Sequence, residues 1–135
     1  MLKAENLIAA VLDTHAWVWS AAGDARAGQL RAFRGRAVVS AISVWEVAML
    51  AAKGRLQLKP DVDVWIRSNL ADPVAMEPLS ADIAIESCRL PDFHGDPADR
   101  IIVATAGVLG IPLITADARI QAWNERTGYL KLCRL

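Results

Sequence analysis

An apolar run that ends in a carboxylate, Leu7-Ile8-Ala9-Ala10-Val11-Leu12-Asp13, constrains the fold of this chain more than any other stretch. A short run of this kind is typical of a parallel strand that is buried on both faces. Asp13 then follows the carboxyl end of the strand, where open α/β sheets bind their ligands. Asp is also a preferred residue at the start of a helix, so Asp13 considered alone supports either a binding or a capping role.

The rest of the chain alternates between strand-like and helix-like segments. Further strands are predicted at 37–40, 74–79, 112–115 and 130–132, and helices at 16–22, 24–33, 42–52, 60–71, 80–90, 96–109 and 117–123. This alternation favours a parallel sheet with right-handed crossovers. Because 135 residues with a hydrophobic fraction of 54% suffice for one core, we expect a single α/β domain over residues 1–135.

Charge and cysteine content limit the classes of partner and the compartment. Fifteen basic residues balance fifteen acidic ones, so binding to a nucleic acid would require a local basic patch. Cys88 and Cys133 form no zinc or CxxC pattern, and they are expected to be buried free thiols. No apolar run reaches the roughly 18 residues of a membrane span. We therefore expect a cytoplasmic protein without a membrane segment.

Glu46 and Asp117 are candidate site residues with ordinary structural explanations. Ser43 and Glu46 form the pattern S-x-x-E, which predicts a capping box at the start of a helix. Glu46 also adjoins an apolar helical stripe, where a carboxylate without a partner is costly to bury. Asp117 follows an apolar strand as Asp13 does, and it too could serve as a helix cap.

Asp96 and Asp99 open the helix predicted at 96–109. Asp96 precedes Pro97, an order that favours a cap followed by proline at the first helical position. Asp99 lies in the first turn, where the helix dipole favours an acid. We assign Asp96 mainly to capping, and we expect Asp99 to point along the crevice at the edge of the sheet.

Taken together, Asp13, Glu46, Asp99 and Asp117 predict more than four separate caps. In a parallel sheet their positions face one edge, where four carboxylates would repel one another. A divalent cation would hold them ionised together. Oxygen ligands without cysteine select Mg²⁺ or Mn²⁺, and the natural chemistry of such a site is phosphodiester hydrolysis.

Two residues beside these acids are predicted to act on a substrate. His15 lies two positions after Asp13, where it could orient a substrate, hydrogen-bond Asp13, or serve as a packing contact. Arg100 follows Asp99 and projects from another face of the helix, where it could contact a phosphate or pair with an acid outside the cluster. The predicted substrate contacts are Thr14, His15, Ser43, Thr115 and Arg100. His94 is expected to be a solvent-facing loop residue.

Four ordered segments, L-D-T-H-A-W-V-W, S-V-W-E-V, H-G-D-P-A-D-R and L-I-T-A-D, carry a family resemblance. Together they resemble a PIN domain, and more narrowly the VapC-type toxins of bacterial type II toxin–antitoxin modules. The resemblance covers essentially the whole chain. It implies a three-layer α/β/α sandwich with a mostly parallel sheet of four to five strands, and a metal-dependent endoribonuclease. It also implies Mg²⁺ or Mn²⁺ held by Asp13, Glu46, Asp99 and Asp117, with Asp96 an additional acid of this branch.

The resemblance further implies a small antitoxin partner, and either a homodimer or a hetero-oligomer with that antitoxin. Trp17 and Trp19 are two positions apart, so on a helix they point about 200° away from each other. One of them is therefore expected to line an exposed apolar groove with Trp65, which an amphipathic helix of the antitoxin could fill. The alternative to the enzyme is a catalytically silent PIN-like binding module.

Overall fold

The computed structural model describes residues 8–32 and 35–135. Its strands are β1 (Ile8–Leu12), β2 (Arg36–Ser40), β3 (Val74–Glu77), β4 (Leu113–Thr115) and β5 (Leu132–Arg134). Its α-helices are α1 (Thr14–Ala22), α2 (Ala41–Ala52), α3 (Val62–Ser68), α4 (Ala81–Ser87), α5 (Pro97–Leu109) and α6 (Ala118–Thr127). A 3₁₀ helix occupies Ala25–Ala32. The start of the predicted first strand at Leu7 and the end of the predicted 24–33 helix lie outside the described residues.

The five strands form one sheet in the order β3-β2-β1-β4-β5. Every neighbouring pair is parallel, which confirms the predicted sheet. From β1 the chain continues outward to β2 and β3, and it then returns to place β4 on the other side of β1. The strand order therefore reverses between β1 and β4, and ligands bind at such a switch point in open α/β sheets.

Alternate residues of the central strands enter two separate hydrophobic cores. Val11 and Val38 pack on one face of the sheet with residues of α5 and α6, including Ile102 and Trp123. Their strand neighbours, with residues of α1 and α2, form the second core, whose members are Ala10, Leu12, Ala16, Trp17, Ala37, Val39, Val47 and Ile114. Successive side chains of a strand point to opposite faces, so helices cover both sides. The predicted α/β/α sandwich is confirmed.

Several local predictions differ from the structure. The segment 24–33 forms a 3₁₀ helix with a kink at Ala27, next to Gly28, which disfavours a regular helix. The predicted 60–71 helix is shortened to α3, because Asp61 caps it at its start. Cys88 is exposed rather than buried, since it follows the end of α4. Among the described residues, no helix is long and apolar enough to cross a membrane.

Candidate active site

Five carboxylates from four separate parts of the sequence surround one cavity of about 130 Å³ at the carboxyl edge of the sheet. The residues that line it are Asp13, Thr14, His15, Glu46, Asp96, Asp99, Ile102, Asp117 and Arg119. The structure thus brings together all four predicted catalytic acids and Asp96. Because Asp13 follows β1 and Asp117 follows β4, the cavity lies at the switch point of the sheet.

Three of these acids are held at the cavity because they cap helices. Asp13 Oδ1 accepts a hydrogen bond from the amide of Ala16 at 2.8 Å, and Asp96 Oδ1 accepts one from the amide of Asp99 at 2.8 Å. Asp117 accepts from the amides of the second and third residues of α6. The capping predictions for these acids are confirmed. The positive ends of α1, α5 and α6 consequently surround the cavity, and such ends favour bound anions.

Asp13 is the most buried acid of the site, with 7% of its surface exposed. Its second carboxylate oxygen, Oδ2, accepts a hydrogen bond from the hydroxyl of Thr115, which in turn accepts from the amide of Asp117 at 3.0 Å. Burial raises the pKa of Asp13 above its ordinary value, while the hydrogen bonds from Thr115 and Ala16 act in the opposite direction. Thr115 therefore joins the two strand-end acids.

Glu46 is fixed by a residue from another helix rather than by the predicted capping box. Helix α2 begins at Ala41, and Ser40 is its cap, because the Ser40 hydroxyl accepts a hydrogen bond from the amide of Ile42 at 3.1 Å. Glu46 therefore lies in the second turn. Its Oε1 atom lies 2.5 Å from the hydroxyl of Thr14, which also lies 2.8 Å from that of Ser43. A threonine hydroxyl carries one proton, so it donates to only one of them at a time.

Asp99 carries the largest shift in pKa among the acids of the cavity. Burial together with the negative charges of Asp96, Asp117 and Glu46 raises the pKa of Asp99 to about 7. Burial also raises the pKa of Glu46. Arg119 acts in the opposite direction on Asp99. The site therefore has an excess of crowded negative charge that its single arginine does not neutralise.

The donor set fits a hard divalent cation in its chemistry, since all the acids supply carboxylate oxygens and no sulfur lines the cavity. Within residues 8–32 and 35–135, however, no three acidic, histidine or cysteine side chains are arranged to coordinate one ion. The oxygens of Asp13 and Glu46 are instead directed to Thr115, Ala16 and Thr14. A carboxylate oxygen that accepts one of these hydrogen bonds keeps a second lone pair for an ion.

The structure corrects three of the predicted substrate contacts. Ser43 and Thr115 have no exposed surface, because their hydroxyls support Thr14 and Asp13 from within the core. Arg100 points away from the acids: its Nη1 and Nη2 atoms donate to the backbone carbonyls of Ser87 and Phe93, at 3.2 and 2.5 Å. It therefore secures the loop before α5 rather than a phosphate.

Thr14 and His15 do line the cavity, and they remain predicted substrate contacts. His15 is exposed, and its ring centroid lies 5.7 Å from that of Trp19. Sequence reasoning missed Arg119 as a residue of the cavity. Its position two residues after Asp117, in the first turn of α6, was the available signal.

The predicted exposed groove that joins Trp65 to one of the two neighbouring tryptophans is wrong, because neither Trp17 nor Trp19 is fully exposed. Trp17 is 2% exposed and packs against Trp65 with ring centroids 5.2 Å apart. Trp19 is half-buried beneath the guanidinium of Arg26, which lies 4.2 Å from its ring. The most exposed tryptophan is Trp45, at 57%, although it belongs to the apolar helical stripe that adjoins Glu46 in the sequence.

Comparison with known proteins assigns the family. The sequence matches the PIN domain over residues 10–125. This chain belongs to the PIN domain family. Ribonuclease VapC22 of Mycobacterium tuberculosis is 37% identical to it over 117 residues, which cover 83% of this chain and 89% of that protein. Within the PIN domain family the chain therefore belongs to the VapC group.

Solved structures support the same fold. VapBC2 from Rickettsia felis, bound to a DNA fragment from its promoter, superposes with a TM-score of 0.72 and 16% identity over 94% of this chain and 98% of that one. VapC20 of Mycobacterium tuberculosis, a sarcin-ricin loop cleaving toxin, superposes with a TM-score of 0.67 and 20% identity. The match covers 94% of this chain and 100% of that one. A toxin–antitoxin complex from Klebsiella pneumoniae superposes with a TM-score of 0.61 and 28% identity. The match covers 81% of this chain and 87% of that one. At identities of 16% and 20%, the first two likenesses concern the fold alone.

Proposed function

We propose that this PIN domain is a metal-dependent endoribonuclease that hydrolyses RNA phosphodiester bonds and acts as the toxin of a toxin–antitoxin pair. The observation that supports this most strongly is the convergence of Asp13, Glu46, Asp99 and Asp117 on one cavity at the switch point of the sheet. The name and 37% identity of Ribonuclease VapC22 support the reaction class. The proposed place of action is the cytoplasm.

The proposed cofactor is Mg²⁺ or Mn²⁺, held by those four acids, with Asp96 as a further candidate ligand. Such an ion lowers the pKa of a water and offsets the charge that develops on the phosphate during hydrolysis. A cation would also offset the charge repulsion and the cost of burying carboxylates that raise the pKa of Asp99 and Glu46. Binding of a cation by these acids is therefore electrostatically favourable.

The protein's own contribution is to orient the acids and to attract the substrate. Thr115 and the amide of Ala16 fix the two oxygens of Asp13, and Thr14 fixes Glu46. The starts of α1, α5 and α6 hold the capping acids at the cavity, because amides of their first turns donate to Asp13, Asp96 and Asp117. Arg119 supplies a guanidinium at the rim, which is suited to bidentate contact with phosphate oxygens.

The proposed partner is a small antitoxin whose amphipathic helix binds an apolar surface on α2. This surface consists of Trp45 and a groove of about 280 Å³ lined by Ala48, Ala51, Ala52, Leu56, Leu58 and Val62. Trp45, Ala48 and Ala52 share one face of α2, because they are spaced three and four residues apart. A homodimer could cover the same surface, and sedimentation of a Trp45→Ala variant distinguishes it from the antitoxin.

The enzymatic proposal is tested by incubating the purified protein with single-stranded RNA in Mn²⁺, Mg²⁺ or EDTA. We expect cleavage with either metal, none with EDTA, and none from Asp13→Asn or Glu46→Gln at any metal concentration. Asp82→Asn is the matched control, because Asp82 is exposed on α4 and lines neither this cavity nor a larger cavity that opens beside it. Undiminished cleavage by a folded Asp13→Asn variant would refute the assignment. RNA binding without cleavage by the unmodified protein would favour the silent binding module.

A further inference from the structure

A second and larger cavity opens beside the acid cavity. It has a volume of about 320 Å³, within the range of about 300 to 1,000 Å³ that is typical of small-ligand sites. The residues that line it are Asp92, Phe93, His94, Gly95, Asp99, Arg119, Ile120, Ala122, Trp123 and Arg126. Asp99 and Arg119 line both cavities. A ligand that extends from one cavity into the other would therefore pass between or beside these two residues.

One wall of this second cavity is a face of α6. Arg119, Ala122 and Arg126 are spaced three and four residues apart, so they lie on one side of the helix. The seven helical steps from Arg119 to Arg126 correspond to about 10 Å along the helix axis. One exposed arginine side chain therefore lies at each end of the wall, and the small side chain of Ala122 leaves space between the two guanidiniums.

The opposite wall is the loop before α5, and it is held rigidly. Trp123 donates a hydrogen bond from its indole nitrogen to the carbonyl of Pro91 at 2.6 Å, and its ring meets that of Phe93 edge-on at 4.9 Å. Arg100 fixes the carbonyl of Phe93 from below. A Cβ atom on Gly95 would lie 2.3 Å from the Phe93 ring, so the close packing of this loop requires glycine there.

We propose that this second cavity binds the nucleotide of the RNA strand that adjoins the scissile phosphodiester. In this arrangement Arg119 and Arg126 contact successive parts of the backbone. The exposed ring of His94 or the guanidinium plane of Arg126 stacks on the base, as aromatic and arginine side chains do with single-stranded RNA. The inference rests on the proposed ribonuclease function, and it deepens that proposal by identifying where the strand lies.

The charge distribution favours a nucleic acid over a peptide as the occupant. The α6 wall is cationic, whereas the carboxylates of the cavity, Asp92 and Asp99, lie on the loop and on α5. A strand running along α6 therefore meets positive charge at both ends before its phosphate reaches the acids. The protein has no net charge to supply a general attraction, so local arginines of this kind are needed to hold RNA.

The test measures RNA affinity separately from cleavage. A fluorescein-labelled single-stranded RNA of mixed sequence is titrated with protein in EDTA, and fluorescence anisotropy is recorded at several salt concentrations. We expect Arg126→Gln to weaken binding about tenfold and to reduce the slope of log affinity against log salt by about 0.7. His94→Ala should weaken binding without changing that slope. Arg55→Gln, in an exposed residue that lines neither cavity, is the control and should change neither quantity.

In cleavage assays with Mn²⁺, we expect Arg126→Gln to raise KM by a larger factor than it lowers kcat. Arg126 lies in the last turn of α6, where a cation also favours the helix, so the melting temperature of each variant is measured alongside. Unchanged RNA affinity and salt slope in Arg126→Gln would overturn the inference, even while Asp13→Asn still abolished cleavage. Loss of antitoxin binding with normal RNA binding would overturn it as well, by assigning the cavity to the protein partner. An unmodified protein that cleaves no RNA would refute the proposed function instead.

Discussion

The hydroxyl of Thr115 donates a hydrogen bond to Oδ2 of Asp13, although the two residues are 102 positions apart in the sequence. The contact forms because β1 and β4 are parallel neighbours, with Leu12 paired to Ile114, so that Asp13, just after β1, lies beside Thr115, the last residue of β4. Thr115 is fully buried, and its hydroxyl also accepts from the amide of Asp117. Thr115 therefore fixes the orientation of Asp13, the most buried acid of the site.

The first prediction concerns this hydrogen bond. Replacing Thr115 by valine keeps the shape of the side chain but leaves a buried carboxylate oxygen without its donor, which we expect to cost about 1 to 3 kcal/mol of unfolding free energy. Because residues that orient catalytic ligands contribute strongly to activity, cleavage should fall about tenfold or more. Thr115→Ser retains the hydroxyl and should keep most of the cleavage rate. Denaturant unfolding and initial cleavage rates measure both effects, and equal activity in the two variants would contradict the role of the hydroxyl.

The second prediction concerns the stability of the metal-free protein as a function of pH. The pKa of Asp99 is about 7 in the folded protein and near 3.8 in an unfolded chain. Between these values the folded state binds more protons than the unfolded state, so the free energy of unfolding falls as the pH rises. The destabilisation should grow from about pH 4 to pH 7 and remain constant above that range.

The corresponding measurement is urea unfolding in EDTA at a series of pH values, for the unmodified protein and for Asp99→Asn. The asparagine variant should lose this part of the pH dependence, and the difference between the two proteins isolates Asp99 from the other acids. Addition of Mn²⁺ should flatten the profile of the unmodified protein in the same range. A difference between the two proteins that does not vary with pH would be inconsistent with the crowded, half-buried carboxylate described here.

The third prediction separates Asp96 from Asp99. Asp96 caps α5, and serine also caps helices, so Asp96→Ser should retain both stability and most of the activity. Asp96→Ala removes the cap and should lower the free energy of unfolding by about 1 kcal/mol. Asp99→Ser should abolish cleavage under saturating Mn²⁺. If Asp96→Ser and Asp99→Ser lose the same fraction of activity, Asp96 belongs to the catalytic set.

The fourth prediction concerns the antitoxin surface. Trp45→Ala alters an exposed side chain, so the free energy of unfolding should change by no more than about 0.5 kcal/mol, whereas binding of the co-purifying antitoxin should weaken strongly. Trp17→Ala empties a core position and should cost about 3 to 5 kcal/mol. Pull-down, thermal unfolding and sedimentation of both variants distinguish these effects. Normal antitoxin binding by Trp45→Ala, together with a shift from dimer to monomer, would assign the surface to a homodimer.

The fold and the strand-end acids could be predicted because their signals are local. A buried strand followed by an acid places Asp13 and Asp117 at the same edge of any parallel sheet, and Asp96 before Pro97 is a cap in most contexts. These positions depend on a few neighbouring residues and on the rules of strand connection. The alternation of strands and helices likewise determined the sandwich.

The errors arose where distant contacts decide the outcome. The spacing of Ser43 and Glu46 predicts a capping box as one of two roles for Glu46, but Ser40 ends β2 and caps α2 first. Because Arg100 follows Asp99, the sequence favours a contact with a phosphate or with an acid outside the cluster, whereas the fold offers it the carbonyls of Ser87 and Phe93. The exposure of Trp45 likewise depends on which helices pack against α2, and the apolar stripe alone could not indicate this.

A crystal of the unmodified protein soaked in Mn²⁺ shows directly whether the four acids form a metal site. The measurement is an anomalous difference map, which locates manganese independently of the protein atoms. We expect one or two strong peaks inside the cavity between Asp13, Glu46, Asp99 and Asp117, and none at that place in Asp13→Asn crystals soaked identically. The absence of any peak within this cavity, from crystals whose protein cleaves RNA in the same Mn²⁺ solution, would contradict the claim.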